Sequence, residues 1–276
     1  MYDFKSPYLC QMQVDFKFLG TGTSQGVPII GCTCDVCVST DSRDQRLRSS
    51  IVIQTESAQV IIDSGPDFRQ QCLRAGLDRL DGLVMTHEHK DHVAGLDDIR
   101  PFNFRSGLDM PVFATAAVQE ALKREFHYIF RPNPYPGVPK VVLETIHEDP
   151  FEIHGDRWWP LPVMHHKLPV LGFRVGGLAY ITDANHFSDL ALERLQDVDV
   201  LVLNALRREQ HLSHFTFEQA IQWAQRIGAR KTYFTHISHQ LGRHAEVELE
   251  LPEGIALAYD GLSDRSTGPE YRLDYP

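Results

Sequence analysis

The residues with the clearest capacity for chemistry stand close together at positions 86–92. Three imidazoles and a carboxylate occur there within six residues, directly after the apolar run at positions 83–85 that is typical of a buried strand. Because the chain must turn where a strand ends, these side chains can converge on cations that no single regular element could surround. The segment therefore predicts a metal centre, and its candidate ligands are His87, His89, Asp91 and His92.

A second cluster of metal-binding type lies nearer the start of the sequence. Three of the five cysteines, Cys32, Cys34 and Cys37, fall within six residues. A tetrahedral zinc site built on three thiolates needs one further ligand, and His239, three residues after His236, is the natural candidate. The alternative is a set of reduced, buried thiols without a metal.

The composition is that of a folded protein, with 276 residues of which 42% are hydrophobic and 23% charged. A total of 27 basic against 37 acidic residues gives a net charge of -10, which disfavours a nucleic-acid polymer as a partner, because such partners are bound by neutralising phosphates. No run approaches the roughly 18 apolar residues of a membrane span, and residues 1–15 lack the pattern of a signal peptide. We therefore expect a cytoplasmic protein that binds neither membrane nor nucleic acid.

Strand-like and helix-like segments are interspersed along the chain. Gly176 and Gly177 separate two apolar runs and predict a hairpin, and neighbouring strands joined by tight turns favour a layered sandwich over an all-parallel sheet. Thr216 begins a capping-box pattern that predicts a helix ending at Gly228. Other helices are predicted over residues 66–75, 116–126 and 188–195. Strands are predicted over residues 14–19, 50–54, 60–62, 83–85, 112–114, 141–146, 171–175, 178–182, 198–203 and 232–235.

The spacing of His87, His89, Asp91 and His92 resembles the HxHxDH signature of the metallo-β-lactamase superfamily. The resemblance covers nearly the whole chain. It implies an α+β fold, an αββα four-layer sandwich in which two mixed β-sheets are flanked by helices and the metals lie at the sheet edges.

The same resemblance implies three further metal ligands. The matching positions are His165, Asp183 and His236, each of which follows or ends a strand-like run. His166 is the alternative to His165. Asp63 corresponds to the superfamily's early aspartate, which supports the site without binding a metal itself.

The cysteine cluster and the glycine-containing opening at positions 19–28 resemble the phosphodiesterase branch of this superfamily, typified by phosphoribosyl 1,2-cyclic phosphate phosphodiesterase. This resemblance implies a single domain over residues 1–276, with a zinc loop at about residues 31–38, and a homodimer. The structural zinc ligands that it implies are Cys32, Cys34, Cys37 and His239.

The resemblance also gives a role to His214, which lies just before the capped helix. It implies that His214 contacts phosphate and can protonate a leaving oxygen, and the alternative is an ordinary histidine of a surface loop. Arg100 and Arg105 are candidates for binding a second substrate phosphate, with surface salt bridges as the alternative.

Together these features predict a hydrolase with two divalent cations, zinc or manganese, in its active site. Such cations bring the pKa of a shared water to about 7, and the resulting hydroxide would cleave a small phosphodiester, either a cyclic nucleotide or a cyclic sugar phosphate. The alternatives are a thioester or lactone hydrolase and a non-catalytic relative from cofactor biosynthesis. The expected assignments are His87, His89 and His165 for one cation, Asp91, His92 and His236 for the other, Asp183 as the bridge, and Asp91 and His214 as catalytic residues.

Overall fold

The β-strands form where β-branched and aromatic residues are concentrated, as their preference for a pleated, half-buried surface requires. The computed structural model describes residues 12–268, so Cys10 lies outside the described part of the chain. Its strands, numbered in chain order, are β1 (Val14–Gly20), β2 (Ser50–Gln54), β3 (Gln59–Ile62), β4 (Gly82–Val84), β5 (Met110–Ala114), β6 (Val141–Thr145), β7 (Phe151–Ile153), β8 (Asp156–His165), β9 (Leu168–Val175), β10 (Leu178–Ile181), β11 (His186–Phe187), β12 (Val200–Asn204), β13 (Lys231–Thr235), β14 (Ile255–Leu257) and β15 (Ser263–Ser266).

These strands form two mixed sheets. The first has the order β15-β1-β2-β3-β4-β5-β6, antiparallel from β15 to β3 and parallel from β3 to β6. The second has the order β11-β8-β9-β10-β12-β13-β14, with β7 also paired to β8, and it changes from antiparallel to parallel at β10. Each sheet therefore has a parallel half whose strands end at the same edge.

The helices begin and end at residues with recognisable signals. Thr216 caps α7 (Phe217–Ile227) with a full capping box, and Gly228 ends that helix in the left-handed conformation. Thr115 and Ser188 cap α4 (Ala116–Glu125) and α6 (Asp189–Arg194) through their side-chain oxygens. The helices are α1 (Phe68–Ala75), α2 (Lys90–Val93), α3 (Arg100–Ser106), α4 (Ala116–Glu125), α5 (His127–Phe130), α6 (Asp189–Arg194), α7 (Phe217–Ile227) and α8 (His244–Val247).

Three apolar layers hold the sheets and helices together. The layer between the two sheets includes Phe16 and Phe18 of β1 and Trp158 of β8. A second layer packs the outer face of the first sheet against α1 and α4, and a third packs the outer face of the second sheet against α6 and α7. The arrangement is the αββα sandwich of the metallo-β-lactamase fold, which confirms the predicted fold class.

Every strand and helix predicted from the sequence is present, including the hairpin of β9 and β10. The long strand β8 was not predicted, because Pro160 and Pro162 interrupt it and proline cannot donate to a sheet ladder. The structure accommodates both prolines since β7 pairs with residues 156–158 and β11 with residues 163–164. Between these stretches, the carbonyl oxygens of Pro160 and Pro162 accept hydrogen bonds from Arg194 and Ser188. None of the helices within residues 12–268 has the length and apolar character needed to span a membrane.

Candidate active site and metal sites

The predicted ligands meet at one edge of the sandwich, where strands of both sheets end. His87 and His89 follow β4 of the first sheet, whereas Asp183 follows β10 and His236 follows β13 of the second. His165 is the last residue of β8. The site is therefore assembled across the two sheets, which hold its loops at a fixed separation.

Three site residues adopt left-handed backbone conformations immediately after a strand. The φ angles are 64° at Asp63, 54° at Asp183 and 55° at His236. A non-glycine residue in this region costs on the order of 1–3 kcal/mol, and such strain concentrates at functional sites. The sharp turn that it allows brings each side chain back over the end of its own strand.

One group of potential ligand atoms comes from His87, His89, His165 and Asp183, all within 4.8 Å of one another. Nε2 of His87 lies 3.0 Å from Nδ1 of His89 and 3.8 Å from Oδ2 of Asp183. Nitrogen ligands of one cation lie about 3 Å apart, so this spacing suits a shared ion.

A second group comes from Asp91, His92, Asp183 and His236, also within 4.8 Å of one another. Nε2 of His92 lies 3.2 Å from Asp91 Oδ2 and 3.3 Å from Asp183 Oδ1. Nε2 of His236 lies 3.2 Å from the same Asp183 oxygen. Asp183 thus belongs to both groups, directing Oδ1 to one and Oδ2 to the other. These seven residues are referred to below as the histidine–aspartate centre.

The carboxylate of Asp63 fixes the ring orientations beneath this centre. It accepts hydrogen bonds from Nδ1 of His92 at 2.7 Å and from the backbone N–H and hydroxyl of Thr86, both at 2.8 Å. Because the Thr86 hydroxyl proton is used on Asp63, Nδ1–H of His87 donates to the Thr86 oxygen, 2.9 Å away. With their Nδ1–H groups used in this way, His87 and His92 direct their Nε2 atoms to the centre, as metal ligands do.

Close backbone packing supports the same corner. A Cβ atom placed on Gly65 would lie 2.1 Å from the carbonyl oxygen of Asp91, and one on Gly95 would lie 2.1 Å from the carbonyl oxygen of Gly65. Only glycine permits this approach. The loop that contains Asp63 is consequently seated directly against α2, which carries Asp91 and His92.

Of the two adjacent histidines at positions 165 and 166, His165 is the one in the centre. Its Nδ1–H donates to the Ser213 carbonyl oxygen at 3.0 Å, leaving Nε2 for the site. His166 is exposed in the two-residue turn between β8 and β9, where its φ angle is 58°. It belongs to neither group of ligand atoms.

The charges and unpaired atoms of the centre suit divalent cations. Burial alone would raise the pKa of Asp91 and Asp183, but the facing imidazoles of His92 and His236 outweigh it and hold both pKa values below the ordinary range. Nε2 of His92 and Nε2 of His236 are buried and make no hydrogen bond within residues 12–268. Buried nitrogens that face ionised carboxylates in this way fit a set of ligands arranged around cations.

The three cysteines and His239 also converge. Nδ1 of His239 lies 3.5 Å from Cys32 Sγ, 3.3 Å from Cys34 Sγ and 3.5 Å from Cys37 Sγ. In a tetrahedral zinc site the corresponding nitrogen-to-sulfur edge is about 3.5 Å. A hydrogen bond from the Cys37 backbone lowers the pKa of the Cys34 thiol to about 6, which favours the thiolate. These four residues, called the cysteine site below, fit zinc.

His214 lies over the centre rather than on the surface. Its ring stacks on His236 with centroids 4.6 Å apart and approaches His165 at the same distance. Burial, followed by the charge of His236, lowers the pKa of His214 to about 2. Its Nδ1 is buried and makes no hydrogen bond within the described part of the chain.

The two arginines suggested for a second phosphate do not reach the centre. Arg100 pairs with Asp97 at 2.6 Å and Arg105 with Asp78 at 3.6 Å, both at or near α3 on the outer face of the first sheet. These are the surface salt bridges of the alternative interpretation.

Comparison with known proteins adds a family and several relatives. The family model of the β-lactamase superfamily domain matches residues 58–237. The chain is similar to the crystal structure of a new diphosphatase from the PhnP family, with 40% identity, a TM-score of 0.88, and coverage of 94% of this chain and 99% of that chain. It shares its fold with Zn(2+)-bound PqqB from Methylobacterium extorquens, with 20% identity, a TM-score of 0.70, and coverage of 90% of this chain and 99% of that chain.

Another relative is named after a different reaction. The protein named octanoyltransferase of Porphyromonas gingivalis (strain ATCC BAA-308 / W83) is 42% identical over 247 residues, which is 88% of this chain and 50% of that protein. The chain thus spans about half the length of this relative.

Proposed function

Since the chain belongs to the family of the β-lactamase superfamily domain, with the metallo-β-lactamase fold of a hydrolase, we propose that it cleaves a small phosphodiester using two divalent cations. The observation that carries the proposal is Asp183, whose two carboxylate oxygens face two separate groups of ligand atoms. A shared carboxylate is the arrangement that two-metal hydrolases use. The diphosphatase relative, at 40% identity, supports chemistry at phosphorus.

Each residue of the centre has a place in this proposal. Two divalent cations, zinc or manganese, would activate water and neutralise the charge that develops on the phosphate. The seven side chains of the histidine–aspartate centre would hold these cations, one cation in each of the two groups of ligand atoms described above. The cysteine site would hold a structural zinc that ties the cysteine loop to the segment after β13.

Two residues act on the substrate and the water. The side chain of Asp91 is 13% exposed, against 3% for Asp183, so Asp91 can accept a hydrogen bond from the attacking water on the open side. His214 would donate a proton to the leaving oxygen. Its imidazole is neutral in the free protein, so an anionic phosphate beside it must raise its pKa before it can serve as an acid.

The substrate that we propose is a cyclic nucleotide or a cyclic sugar phosphate. Attack at an acyl carbon is the second candidate, because a relative that is 42% identical is named octanoyltransferase. Since this chain spans about half of that relative, its name does not assign acyl chemistry to the shared half. The complete set of ligand residues favours a hydrolase over a non-catalytic relative.

The test is a steady-state comparison on one metal-defined preparation. A small cyclic phosphodiester, a linear aryl phosphodiester, a diphosphate ester and an acyl thioester are assayed together. We expect the highest kcat/KM for the cyclic phosphodiester, and a higher value for the thioester than for either diester would reject the proposal.

His165→Asn and His166→Asn provide a matched pair of variants for this assay. The two side chains are neighbours in sequence, and only the first lies in the centre. Asparagine tolerates the positive φ angle of position 166, so neither change strains the turn. Loss of turnover in the first variant alone is expected.

A further inference from the structure

Asn185, which no sequence pattern singled out, lies two residues after Asp183 and joins two other loops of the centre. Its Oδ1 accepts a hydrogen bond from the backbone N–H of His166 at 3.0 Å, and its Nδ2–H donates to the carbonyl oxygen of Leu212 at 2.9 Å. Because one partner is a donor and the other an acceptor, the orientation of the amide is fixed. The backbone N–H of Asn185 also donates to the carbonyl oxygen of Met164 at 2.9 Å. The loop after β10 is therefore fastened to the β8–β9 turn and to the loop before α7.

These hydrogen bonds close a ring of contacts around the ligand His165. Nδ1–H of His165 donates to the carbonyl oxygen of Ser213, and Ser213 directly follows Leu212. Asn185 thus binds the residue after His165 and the residue before Ser213, which holds the His165 imidazole. Rotation of this imidazole, or displacement of either loop, would break at least one hydrogen bond of the ring. The ring consequently holds His165 in the ligand group that it shares with Asp183.

The backbone from which Asn185 extends is itself held by a second amide side chain. Asn204, the last residue of β12, is fully buried. Its Oδ1 accepts from the backbone N–H of Ala184 and its Nδ2–H donates to the Ala184 carbonyl oxygen, both at 3.0 Å. The backbone N–H of Phe215 donates to the same carbonyl oxygen at 2.9 Å. Because Phe215 directly follows His214, the backbone beside His214 is fixed to the same point.

We infer that Asn185 is a positioning residue of the histidine–aspartate centre. It holds His165 in place relative to Asp183, and it holds the loop that carries His214 over both of them. The hydrogen bonds of its side chain end on backbone atoms rather than on ligand atoms, so it acts through these loops. Its role toward His165 requires only that the centre binds cations, whereas its role toward His214 rests on the proposed function.

Two variants and one matched control separate geometry from charge. Asn185→Ala removes both side-chain hydrogen bonds. Asn185→Asp keeps the shape and the acceptor for the His166 N–H, but it places an oxygen without a proton against the Leu212 carbonyl oxygen. The added negative charge alone would strengthen cation binding, so weaker binding identifies geometry as the cause. His186→Asp is the control, because it adds the same charge one residue further along, on an exposed side chain.

Calorimetric titration with Mn²⁺, after mild chelation has emptied the centre, tests the role toward His165 without turnover. Asn185→Ala should bind one of the two Mn²⁺ ions about tenfold more weakly than the wild type, at the lower end of what an outer partner of a metal ligand contributes. Asn185→Asp should show a similar loss relative to His186→Asp. Thermal denaturation of each variant verifies folding. Equal affinities within each of these two pairs would overturn the inference, whatever the turnover.

Turnover of two diesters, at saturating Mn²⁺, tests the role toward His214. Asn185→Asp should lower kcat for an alkyl phosphodiester by roughly 10- to 100-fold, as a displacement of about 1 Å in a reacting group does. The loss should be much smaller for a nitrophenyl diester, whose leaving group needs little protonation. Losses of equal size would overturn the role toward His214. Weaker Mn²⁺ binding in a protein that hydrolyses neither diester would instead reject the proposed function and keep Asn185 as the residue that positions His165.

Discussion

The histidine–aspartate centre and the cysteine site are both groups of metal-binding side chains, yet they are built differently. The first draws on residues spread from position 87 to position 236, and His87, His92 and His236 are at most 1% exposed. The second takes three of its four ligands from six consecutive residues, and all four are only partly buried. The centre is positioned by two sheets, whereas the cysteine site itself positions a loop.

The two sites nevertheless meet on one segment. His236 and His239 both follow β13, and backbone bonds from Thr23 and Ile237 join this segment to the strand-like stretch before the cysteine loop. A metal in the cysteine site would therefore brace the backbone that carries His236. The comparison predicts that substitutions in the centre abolish turnover, and that substitutions in the cysteine site mainly lower the stability of the fold.

The largest effect is expected for Asp183→Ala. Because its carboxylate serves both ligand groups, its loss should reduce turnover by more than about 10³-fold and release at least one cation. Asp109→Ala, at an exposed aspartate, is the control. Turnover is measured together with the cation content, which elemental analysis provides. Turnover near the wild-type value would show that a residue other than Asp183 bridges the cations.

His214→Ala should have the next largest effect, with the cation content unchanged. Turnover of an alkyl phosphodiester should fall by roughly 10²- to 10⁴-fold, the usual contribution of a general acid. A nitrophenyl diester, whose leaving group needs little protonation, should lose much less. Equal losses for both diesters would leave His214 with at most a phosphate contact. The exposed His186 provides the control variant His186→Ala.

The residues that converge in the two groups could be predicted from the sequence, for a physical reason. His87 to His92 and the cysteine triplet are local patterns, and Asp183 and His236 each end a run of apolar strand residues, so their positions at the sheet edge follow from the chain itself. The role of Arg100 and Arg105 could not be decided from the sequence, since their partners Asp97 and Asp78 are evident only in the fold.

A smaller effect is expected for Asp63→Asn. Asparagine accepts the φ angle of 64° and can keep one hydrogen bond from His92, but it removes the buried charge that orients Thr86 and His92. Outer partners of this kind contribute about 10- to 100-fold to metal affinity or activity. Turnover measured as a function of cation concentration should show that loss, restored in part by excess cation. A variant indistinguishable from the wild type would show that Asp63 only supports the fold.

The smallest effect on turnover is expected for Cys34→Ser, although its effect on stability should be large. Wild-type protein purified without chelator should approach three cations per chain, one of them resistant to mild chelation, and the variant should lose the resistant one. Because structural zinc contributes folding free energy directly, the melting temperature should fall by about 5–10 °C. Turnover per filled active site should stay within about tenfold of the wild type, since the cysteine site only braces the segment that carries His236. An unchanged melting temperature and cation content would contradict the structural zinc site. An activity loss as large as that of Asp183→Ala, in protein that remains folded, would show that the cysteine site also contributes directly to catalysis.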